Sequence, residues 1–484
     1  MKRSIELMVL AIAVLLFGFV TSLPAQESTS GAPITVSEAN KAGSVHIPSA
    51  PGQLVIPSSS MIQKVPAGHK FAAHTNIEFY LPAGITPEAL PPYPGLGYET
   101  PASVACIYGF TTAVSGCNPN NSSLGIPSGG SKSIAIVDAY DDPSGPSDLA
   151  WFSMQFGLPD TLSTLQVFWA NTYASSCYYS GVPVDESGSW ELEESLDFEW
   201  AHAMAPSATI YLVEACSNFD TDLQQAVLVA NNLVNCGQTG IGSGGVLSTT
   251  VCGTTANAGE VSMSWGGGEF SSESASDSCA SLDDSCFTAS NVVYFASAGD
   301  SPGVIWPGTS PNVVSVGGIT HRRNPTTLNI LQGTVWVYTG GGQSYVEPQP
   351  SYQNTGTNYA QVQSVCGTAW RCVPDVDFLA DPFTGVYVYD TFPMYGYVYQ
   401  WWVLGGTSLS APAMAGIINN AATRSGSWAV SSNAELTTIY NNMTTKADFT
   451  DVTVGWCGYY MGFTAGTGWD LCSGVGIPHT YAGK

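Results

Sequence analysis

The chemistry of this chain is indicated first by Ser408, in the run Gly-Thr-Ser-Leu-Ser-Ala-Pro at 406–412. A serine hydroxyl is a weak nucleophile and needs a neighbouring base. The preceding glycines and Pro412 predict that Ser408 begins a helix, with the proline in the first turn, where backbone amides lack partners. Those amides and the helix dipole would favour a developing oxyanion. The alternative is an ordinary helix-capping serine.

A pair of carboxylates could supply the base. Glu193 and Asp197 are four residues apart, which places them on one face of a helix. Like charges this close raise one pKa, so Glu193 could accept the serine proton and return it to a leaving amine, with Asp197 orienting it. The alternative, which spacing alone favours, is a solvated acidic face. Its other members would be Glu191, Glu194 and Glu199.

Asp300 could stabilise the oxyanion. It follows an apolar run, in a segment that predicts a strand entering a tight turn. An oxyanion hole needs a hydrogen-bond donor, and an aspartate donates only when it is protonated. Such a donor works in acid and fails as the carboxyl ionises. The alternative is a plain turn aspartate.

Oxygen ligands recur near the carboxyl terminus, where Asp451-Val452 is followed by Gly-Thr-Gly-Trp-Asp at 466–470. Calcium prefers carboxylate and carbonyl oxygens on flexible loops. The two aspartates and three backbone carbonyls would supply five ligands. The alternative is a glycine-rich turn with capping aspartates.

The overall composition indicates an exported, acidic protein. The 484 residues include 12 Lys+Arg against 37 Asp+Glu, a formal charge of −25, which argues against nucleic-acid binding. Residues 1–25 predict a signal peptide, with a basic start and a short apolar run. We therefore expect secretion, no membrane association beyond the signal, and a monomer.

Twelve cysteines fit an oxidising compartment. We expect disulfides between near neighbours that pin loops, although sequence alone leaves the connectivity open. The neighbouring pairs are Cys106/Cys117, Cys236/Cys252, Cys279/Cys286, Cys366/Cys372 and Cys457/Cys472, with Cys177 and Cys216 remaining.

Two parts of the chain differ in character. Residues 26–97 are rich in Pro, Ser, Ala and Gly, and predict a short N-terminal arm or a reduced pro-segment, with ordered structure beginning near Thr100. Residues 98–484 predict one α/β domain in which strands alternate with helices, giving a mostly parallel sheet covered on both faces. Sites in such sheets lie beyond the carboxyl ends of the strands. The glycine-rich stretches 237–259 and 262–270 predict loops.

The predicted elements follow the periodicity of apolar residues. Strands are expected at 133–138, 208–213, 260–264, 292–297 and 313–316, and helices at 148–156, 191–205, 220–234 and 409–423.

Taken together, these motifs resemble the sedolisin family, the serine-carboxyl peptidases of the subtilisin superfamily. The resemblance covers nearly all of residues 98–484, and the matching segments occur in the family's order. They are 133–138 with 155–159, 193–206, Ser-Met-Ser-Trp-Gly at 262–266 with Glu269, 299–301, 374–385, and 406–408 with the final Gly-x-Gly-Trp-Asp.

The resemblance implies a subtilisin-like doubly wound fold and a secreted endopeptidase active on protein or peptide substrates in acid. It implies that Ser408 is the nucleophile, Glu193 the general base, Asp197 its partner and Asp300 the oxyanion aspartate. Asp138 and Trp265 match positions that extend the hydrogen-bond network in some members. One structural Ca²⁺ would be held by Asp451, Val452, Gly466, Gly468 and Asp470, the middle three through carbonyls.

Several alternatives stay open at this stage. Residues 26–97 are too few for the family's long pro-domain, so a catalytically inactive secreted protein that retains the fold is possible. A tripeptidyl-peptidase is an alternative to an endopeptidase. A Ser-His-Asp triad would need a histidine, and His202 is the only candidate near the acidic helix. We interpret His202 instead as a hydrogen-bonded packing residue.

Overall fold

The structure is a computed structural model. It describes residues 51–160, 164–170, 175–177, 179–237, 257–273, 284–356, 358–395, 397, 399–445 and 447–484, together with the backbone of Ile34–Ser37. The predicted signal peptide and most of the glycine-rich stretch 237–259 lie outside these residues.

The α-helices of the described residues are α1 (Pro101–Ile107), α2 (Gly145–Phe156), α3 (Ser189–Met204), α4 (Asp220–Cys236), α5 (Ser351–Asn354), α6 (Tyr359–Cys366), α7 (Thr407–Ser425) and α8 (Ser432–Asn442). The strands before residue 300 are β1 (Ile34–Ser37), β2 (Gly52–Ile56), β3 (His74–Thr75), β4 (Glu78–Pro82), β5 (Ser133–Ala139), β6 (Leu165–Trp169), β7 (Thr209–Ala215), β8 (Gly259–Met263), β9 (Trp265–Gly266) and β10 (Val292–Ser297). The later strands are β11 (Val314–Arg323), β12 (Ile330–Val335), β13 (Gly342–Pro348), β14 (Trp370–Val373), β15 (Val376–Leu379), β16 (Val386–Tyr389), β17 (Trp401–Gly405), β18 (Phe449–Thr450), β19 (Trp456–Cys457), β20 (Phe463–Thr464) and β21 (Ile477–Pro478).

An eight-stranded sheet forms the centre of the fold. Its strands lie in the order β12-β11-β10-β8-β5-β7-β6, and β15 also pairs with β11. All of these pairings are parallel except that of β11 with β12. The predicted fold class, a mostly parallel sheet in an α/β protein, is confirmed.

Helices cover both faces of this sheet, as β5 shows most directly. Its side chains alternate between two apolar clusters, because successive residues of a strand point to opposite faces. Ile134 and Ile136 pack into the cluster that contains α3 and α7. Ala135 and Val137 pack into the cluster that contains α4. The two-sided burial explains why β5 is apolar without a period of two.

The predicted boundaries in this sheet agree with the structure to within a few residues, apart from β11, which continues to Arg323. The loop predicted at 262–270 is partly wrong, because it contains the end of β8 and all of β9.

A second sheet was not expected from the sequence. It is five-stranded and antiparallel, in the order β1-β2-β4-β17-β16. Three of its strands precede Thr100, so the prediction that ordered structure begins near that residue is wrong. The residues after β2 continue into the same folded unit, since Leu54, Val55, Phe79 and Tyr80 are buried in the main core.

Four disulfides join described cysteines. Three are near-neighbour pairs predicted above, and the fourth joins the two remaining cysteines. The bonds are Cys106–Cys117, Cys177–Cys216, Cys366–Cys372 and Cys457–Cys472. The other two predicted pairs include Cys252 and Cys279, which lie outside the described residues.

No helix in the described part of the chain combines the length and the apolar character needed to cross a membrane.

Candidate active site

Ser408 lies at the start of α7, directly after β17. Gly406 precedes the helix with φ of 111°, a backbone conformation that favours glycine. A Cβ at Gly406 would lie 2.0 Å from the carbonyl oxygen of Asn76. The glycine therefore permits both the turn from strand to helix and the close approach of another backbone.

Pro412 lies in the second turn of α7, because the helix begins at Thr407, earlier than predicted. The prediction that it occupies the first turn is wrong. A proline has no N–H to donate to the carbonyl four residues earlier, here that of Ser408. The Ser264 hydroxyl donates to that carbonyl instead, at 3.0 Å. Ser264 at the end of β8 thus satisfies the group that Pro412 leaves unpaired.

The acidic helix α3 is buried along its whole length. It packs against α2 and α7 and lies over β5, β7 and β16, so no face is left for solvent. The solvated acidic face that spacing alone favoured is therefore wrong. Burial raises the pKa of Glu191 to about 9 and that of Glu194 and Glu199 well above the ordinary value.

Three carboxyls meet beside Ser408: Glu193 and Asp197 from α3, and Asp138 from β5. All three are fully buried. Burial raises the pKa of each well above its ordinary value, and the charge of Asp197 adds to the shift of Asp138 and Glu193. The charge of Asp197, followed by that of Asp138, raises the pKa of Glu193 further. These groups must therefore hold protons well above the pH at which a solvated carboxyl ionises.

The hydroxyl of Ser408 is not yet directed at this cluster. Its Oγ–H donates to the carbonyl of Ser264 at 2.9 Å. Within the described structure, the oxygens of Glu193 and Asp197 have no hydrogen-bond partner of normal geometry. Ser408 nevertheless lies close enough to oppose part of the rise in the pKa of Glu193. A hydrogen bond from this hydroxyl to Glu193 would require it to rotate away from the Ser264 carbonyl.

Trp265 contacts this network through the backbone. Its indole N–H donates to the carbonyl of Val137 at 2.7 Å, next to Asp138 on β5. The structure thus places Trp265 where it holds the strand that carries Asp138, and not on a carboxyl group.

Asp300 lies three residues after Ser297, the last residue of β10, and faces the start of α7. Its Oδ1 accepts hydrogen bonds from the backbone N–H and the hydroxyl of Thr407, at 2.7 and 2.8 Å. The same Thr407 hydroxyl lies 3.0 Å from the N–H of Gly299. A Cβ at Gly406 would lie 2.6 Å from Asp300 Oδ2, so that oxygen borders the same gap as the Asn76 carbonyl.

Sequence reasoning missed Asn76, which touches the serine directly. Its backbone N–H donates to Ser408 Oγ at 3.0 Å, and its carbonyl accepts from the Ser408 N–H at 3.1 Å. Its side chain donates to Ser297 Oγ at 2.7 Å. Local sequence gave no signal, because Asn76 belongs to the segment interpreted as an arm.

His202 does not complete a triad. It is buried near the end of α3, and burial lowers its pKa to about 4. Neither ring nitrogen makes a hydrogen bond of normal geometry to a described residue. His202 is a packing residue, but the expected hydrogen bonds are absent from the described structure.

The five residues predicted to bind calcium come from two loops that meet. Asp451 Oδ2 accepts from the N–H of Gly468, and Asp470 Oδ2 from that of Gly466, each at 2.9 Å. The Ser473 hydroxyl lies 3.5 Å from the carbonyl of Val452 and 3.2 Å from Asp470 Oδ1. The carboxylates and carbonyls named by the sequence therefore lie around one turn.

This donor set fits a hard cation in its chemistry, because every group is an oxygen. The described residues contain no group of three or more His, Cys, Asp or Glu side chains that could hold a metal ion. A cation here would therefore depend on backbone carbonyls for most of its ligands.

The chain is similar in sequence to two known proteins. The chain is 27% identical over 369 residues to sedolisin of Pseudomonas sp. (strain 101) and 29% identical over 367 residues to kumamolisin of Bacillus sp. (strain MN-32). These matches cover 70% and 71% of the chain and 58% of each relative's length. No family model matches the chain.

A solved structure supports the fold. It is Pseudomonas sedolisin, described as a serine-carboxyl proteinase complexed with pseudo-iodotyrostatin. The match has a TM-score of 0.57 and 24% sequence identity, and covers 79% of the chain and 95% of that structure.

The buried carboxyls predict that the fold is most stable in mild acid. A group whose folded pKa is raised binds its proton more tightly in the folded chain, so stability falls as pH rises above the unfolded value, about 4.3 for Glu. Between its unfolded and its folded pKa, each such group lowers the free energy of unfolding by about 1.4 kcal/mol per pH unit. Glu99 sets the opposite limit: burial would raise its pKa, but Arg323 and His321 lower it to about 2, so its contribution is lost as pH falls toward that value.

Glu194→Gln should test this directly, because burial and then the charge of Glu214 raise the pKa of Glu194. A neutral amide needs no proton, so we expect the melting temperature of the variant to fall less than that of the wild type between pH 4.5 and 7.5. Calorimetry across that range measures the difference. The exposed Glu88→Gln is the control; equal pH dependence in all three proteins would contradict the interpretation.

Proposed function

We propose that the chain, which is similar in sequence to sedolisin and kumamolisin and shares the subtilisin-like fold of Pseudomonas sedolisin, is a secreted serine-carboxyl endopeptidase active in acid. The supporting observation is the position of Ser408 at a helix start beside three buried carboxyls. Ser408 makes no hydrogen bond to a described histidine; the partners of its Oγ are Ser264 and Asn76. The carboxyls are therefore the groups beside Ser408 that could act as its base.

Glu193 acts as general base in this proposal. Its unpartnered oxygens can accept the Ser408 proton once the hydroxyl leaves the Ser264 carbonyl. Asp197 and Asp138 share protons with Glu193, which stabilises a cluster that could not hold three charges out of water. Glu193 then returns the proton to the leaving amine.

Asp300 and the Ser408 N–H stabilise the oxyanion. The acceptor bonds to Thr407 fix Asp300 Oδ1, so that a proton on Oδ2 can face the gap beside Gly406. This donor exists only while the carboxyl is protonated, which favours turnover in acid.

The substrates are proteins or peptides, and we place the enzyme outside the cell as a monomer. A structural Ca²⁺ at the paired carboxyl-terminal loops, held by Asp451, Val452, Gly466, Gly468 and Asp470, belongs to the same proposal. It would tie the two loops together and contribute nothing to the proton transfers.

We expect the purified chain to cleave denatured protein at pH 3.5. Ser408→Ala should lower kcat/KM on the order of 10⁵-fold or more, because no other group replaces the nucleophile. Peptide release measured by mass spectrometry gives the rate and shows whether cuts are internal or release tripeptides.

The matched control is Ser410→Ala on the same helix, whose hydroxyl donates to the Leu379 carbonyl at 3.2 Å. It should keep most of the activity. Wild-type protein without activity at acid pH would favour the inactive alternative.

Asp300→Asn should extend activity to higher pH, since an amide donates at every pH. We expect the alkaline limb of its pH–rate profile to move upward, with Glu193 still limiting the range. Asp300→Ala, which lacks any donor, should lose about 10²- to 10³-fold in kcat at every pH. Superimposable alkaline limbs for wild type and Asp300→Asn would remove Asp300 as the titrating donor.

Removal of calcium should lower the melting temperature, because a ligand bound only by the folded chain stabilises it by about 2.7 kcal/mol at about a hundred times its Kd. The comparison is calorimetry at pH 5.5 with calcium and with a chelator. Asp451→Ala should abolish the response, and the exposed Asp160→Asn should retain it. An identical melting curve with and without chelator in the wild type would argue against the site.

A further inference from the structure

The loop that follows β9 forms one wall of the space beside Ser408. Gly267 exchanges two backbone hydrogen bonds with Trp306, at 3.0 and 2.9 Å. Gly267 and Gly268 then line a cavity of about 490 Å³, which Asp300 also borders. The position of this loop, residues 267–273 and termed here the wall loop, therefore sets the shape of the space next to the proposed oxyanion donor.

Glu269 holds the wall loop on β13. Its Oε1 accepts a hydrogen bond from the Ser344 hydroxyl at 2.5 Å, and its Oε2 accepts from the N–H of Tyr345 at 3.2 Å. The Tyr345 hydroxyl donates in turn to the carbonyl of Glu269 at 2.7 Å. The Ser344 hydroxyl also accepts from the N–H of Glu347 at 2.7 Å, so the same contact orders the strand that carries Glu347.

A second acid, Glu273, ends the wall loop. Its Oε2 accepts from the N–H of Phe270 at 2.8 Å, and its Oε1 lies 3.5 Å from the Thr309 hydroxyl. Glu273 is 0% exposed and Glu269 is 9% exposed. Neither forms an ion pair with a Lys, Arg or His in the described part of the chain. The wall loop is therefore closed by two buried acids without a cation to balance them.

A third carboxyl, that of Glu347, acts on this pair from β13. Burial raises the pKa of Glu273 to about 10. The charge of Glu269, a hydrogen bond with its carboxyl and the charge of Glu347 add to the rise, which the N–H of Phe270 opposes in part. Burial, followed by the charges of Glu269 and Glu273, also raises the pKa of the Tyr345 phenol. These charges are all negative, so the closed wall loop requires a proton on Glu273.

We propose that Glu269 and Glu273 are positioning residues of the peptidase, which share one proton and thereby hold the wall loop on β13 in the shape that binds substrate. The inference rests on the proposed peptidase function and adds an acid requirement for substrate binding, separate from the proton transfers at Ser408. A wall loop that leaves β13 exposes both carboxyls to water, where they ionise as ordinary carboxyls do.

Docking of the wall loop weakens as pH rises. The docked loop binds the shared proton more tightly than the free loop does, because the pKa of Glu273 is raised in the folded chain. Docking is therefore strongest below the pKa of a solvated Glu, about 4.3, and weakens about tenfold for each pH unit above that, up to the raised value.

Hydrogen exchange in the full-length Ser408→Ala variant tests this docking without turnover. The N–H groups of Phe270 and Tyr345 bond to the two carboxyls, so they exchange when the wall loop opens. After correction for the intrinsic pH dependence of exchange, we expect both to exchange about a hundredfold faster at pH 6.5 than at pH 4.5. Mass spectrometry of peptides that cover 267–273 and 342–348 measures the rates.

Glu273→Gln in the same background supplies an amide that donates to Glu269 at every pH. Its corrected exchange should change less than about threefold between the two pH values, since the group that takes up the proton is gone. The matched control is Glu435→Gln on α8, where burial raises the pKa of another glutamate, to about 7. That variant should keep the full pH dependence at Phe270 and Tyr345.

Kinetics of the active chain test the role in substrate binding. At pH 4.5, Glu273→Ala should raise KM on the order of tenfold with little change in kcat, because it removes the shared proton and leaves the proton transfers at Ser408 intact. Glu273→Gln should restore the wild-type KM. Should the alanine variant fail to fold, the exchange of the wild type and of Glu273→Gln decides.

Equal corrected exchange of the wall loop at pH 4.5 and 6.5 would overturn this inference alone, as would a Glu273→Gln variant with the full pH dependence. A Glu273→Ala variant with unchanged KM would remove the role in substrate binding. A chain that shows the expected exchange but cleaves no peptide would overturn the proposed function and leave the pH-dependent docking in place.

Discussion

The structure depends most on the burial of carboxyl groups that have no cationic partner. Two buried acids elsewhere do have cationic partners: Asp375 bonds to Arg371 at 2.8 Å, and Glu99 to Arg323 at 2.5 Å. Along α3 the sole basic side chain is His202, whose own pKa burial lowers. In such surroundings an ionised carboxylate without a counter-charge would cost more free energy than a carboxyl that keeps its proton. The helix is therefore built to be neutral, and the proposed acid chemistry follows from that.

The backbone then brings this neutral helix to Ser408, the proposed nucleophile. The ends of three neighbouring strands, β5, β8 and β10, supply Asp138, Ser264 and the turn to Asp300. Ser264 has two contacts with Ser408, since its carbonyl accepts from the serine hydroxyl and its hydroxyl satisfies the serine carbonyl. The second contact replaces the helical hydrogen bond to the Ser408 carbonyl, which Pro412 cannot donate because it has no backbone N–H. The helix start, the sheet edge and the acidic helix thus form one unit.

The sequence predicts the parts of this unit that depend on local pattern. Apolar runs of strand length and amphipathic spacing locate β5, β10 and α3, and the spacing of Glu193 and Asp197 places them on one face. The environment of that face was predicted wrongly, because burial depends on α2, α7 and the strands below, which no local window contains. The antiparallel sheet of β2, β4 and β17 was missed for the same reason: the pairing of β4 with β17 joins residues more than three hundred positions apart. The strands of the arm were not predicted, because a composition rich in Pro and Gly is typical of segments without regular structure.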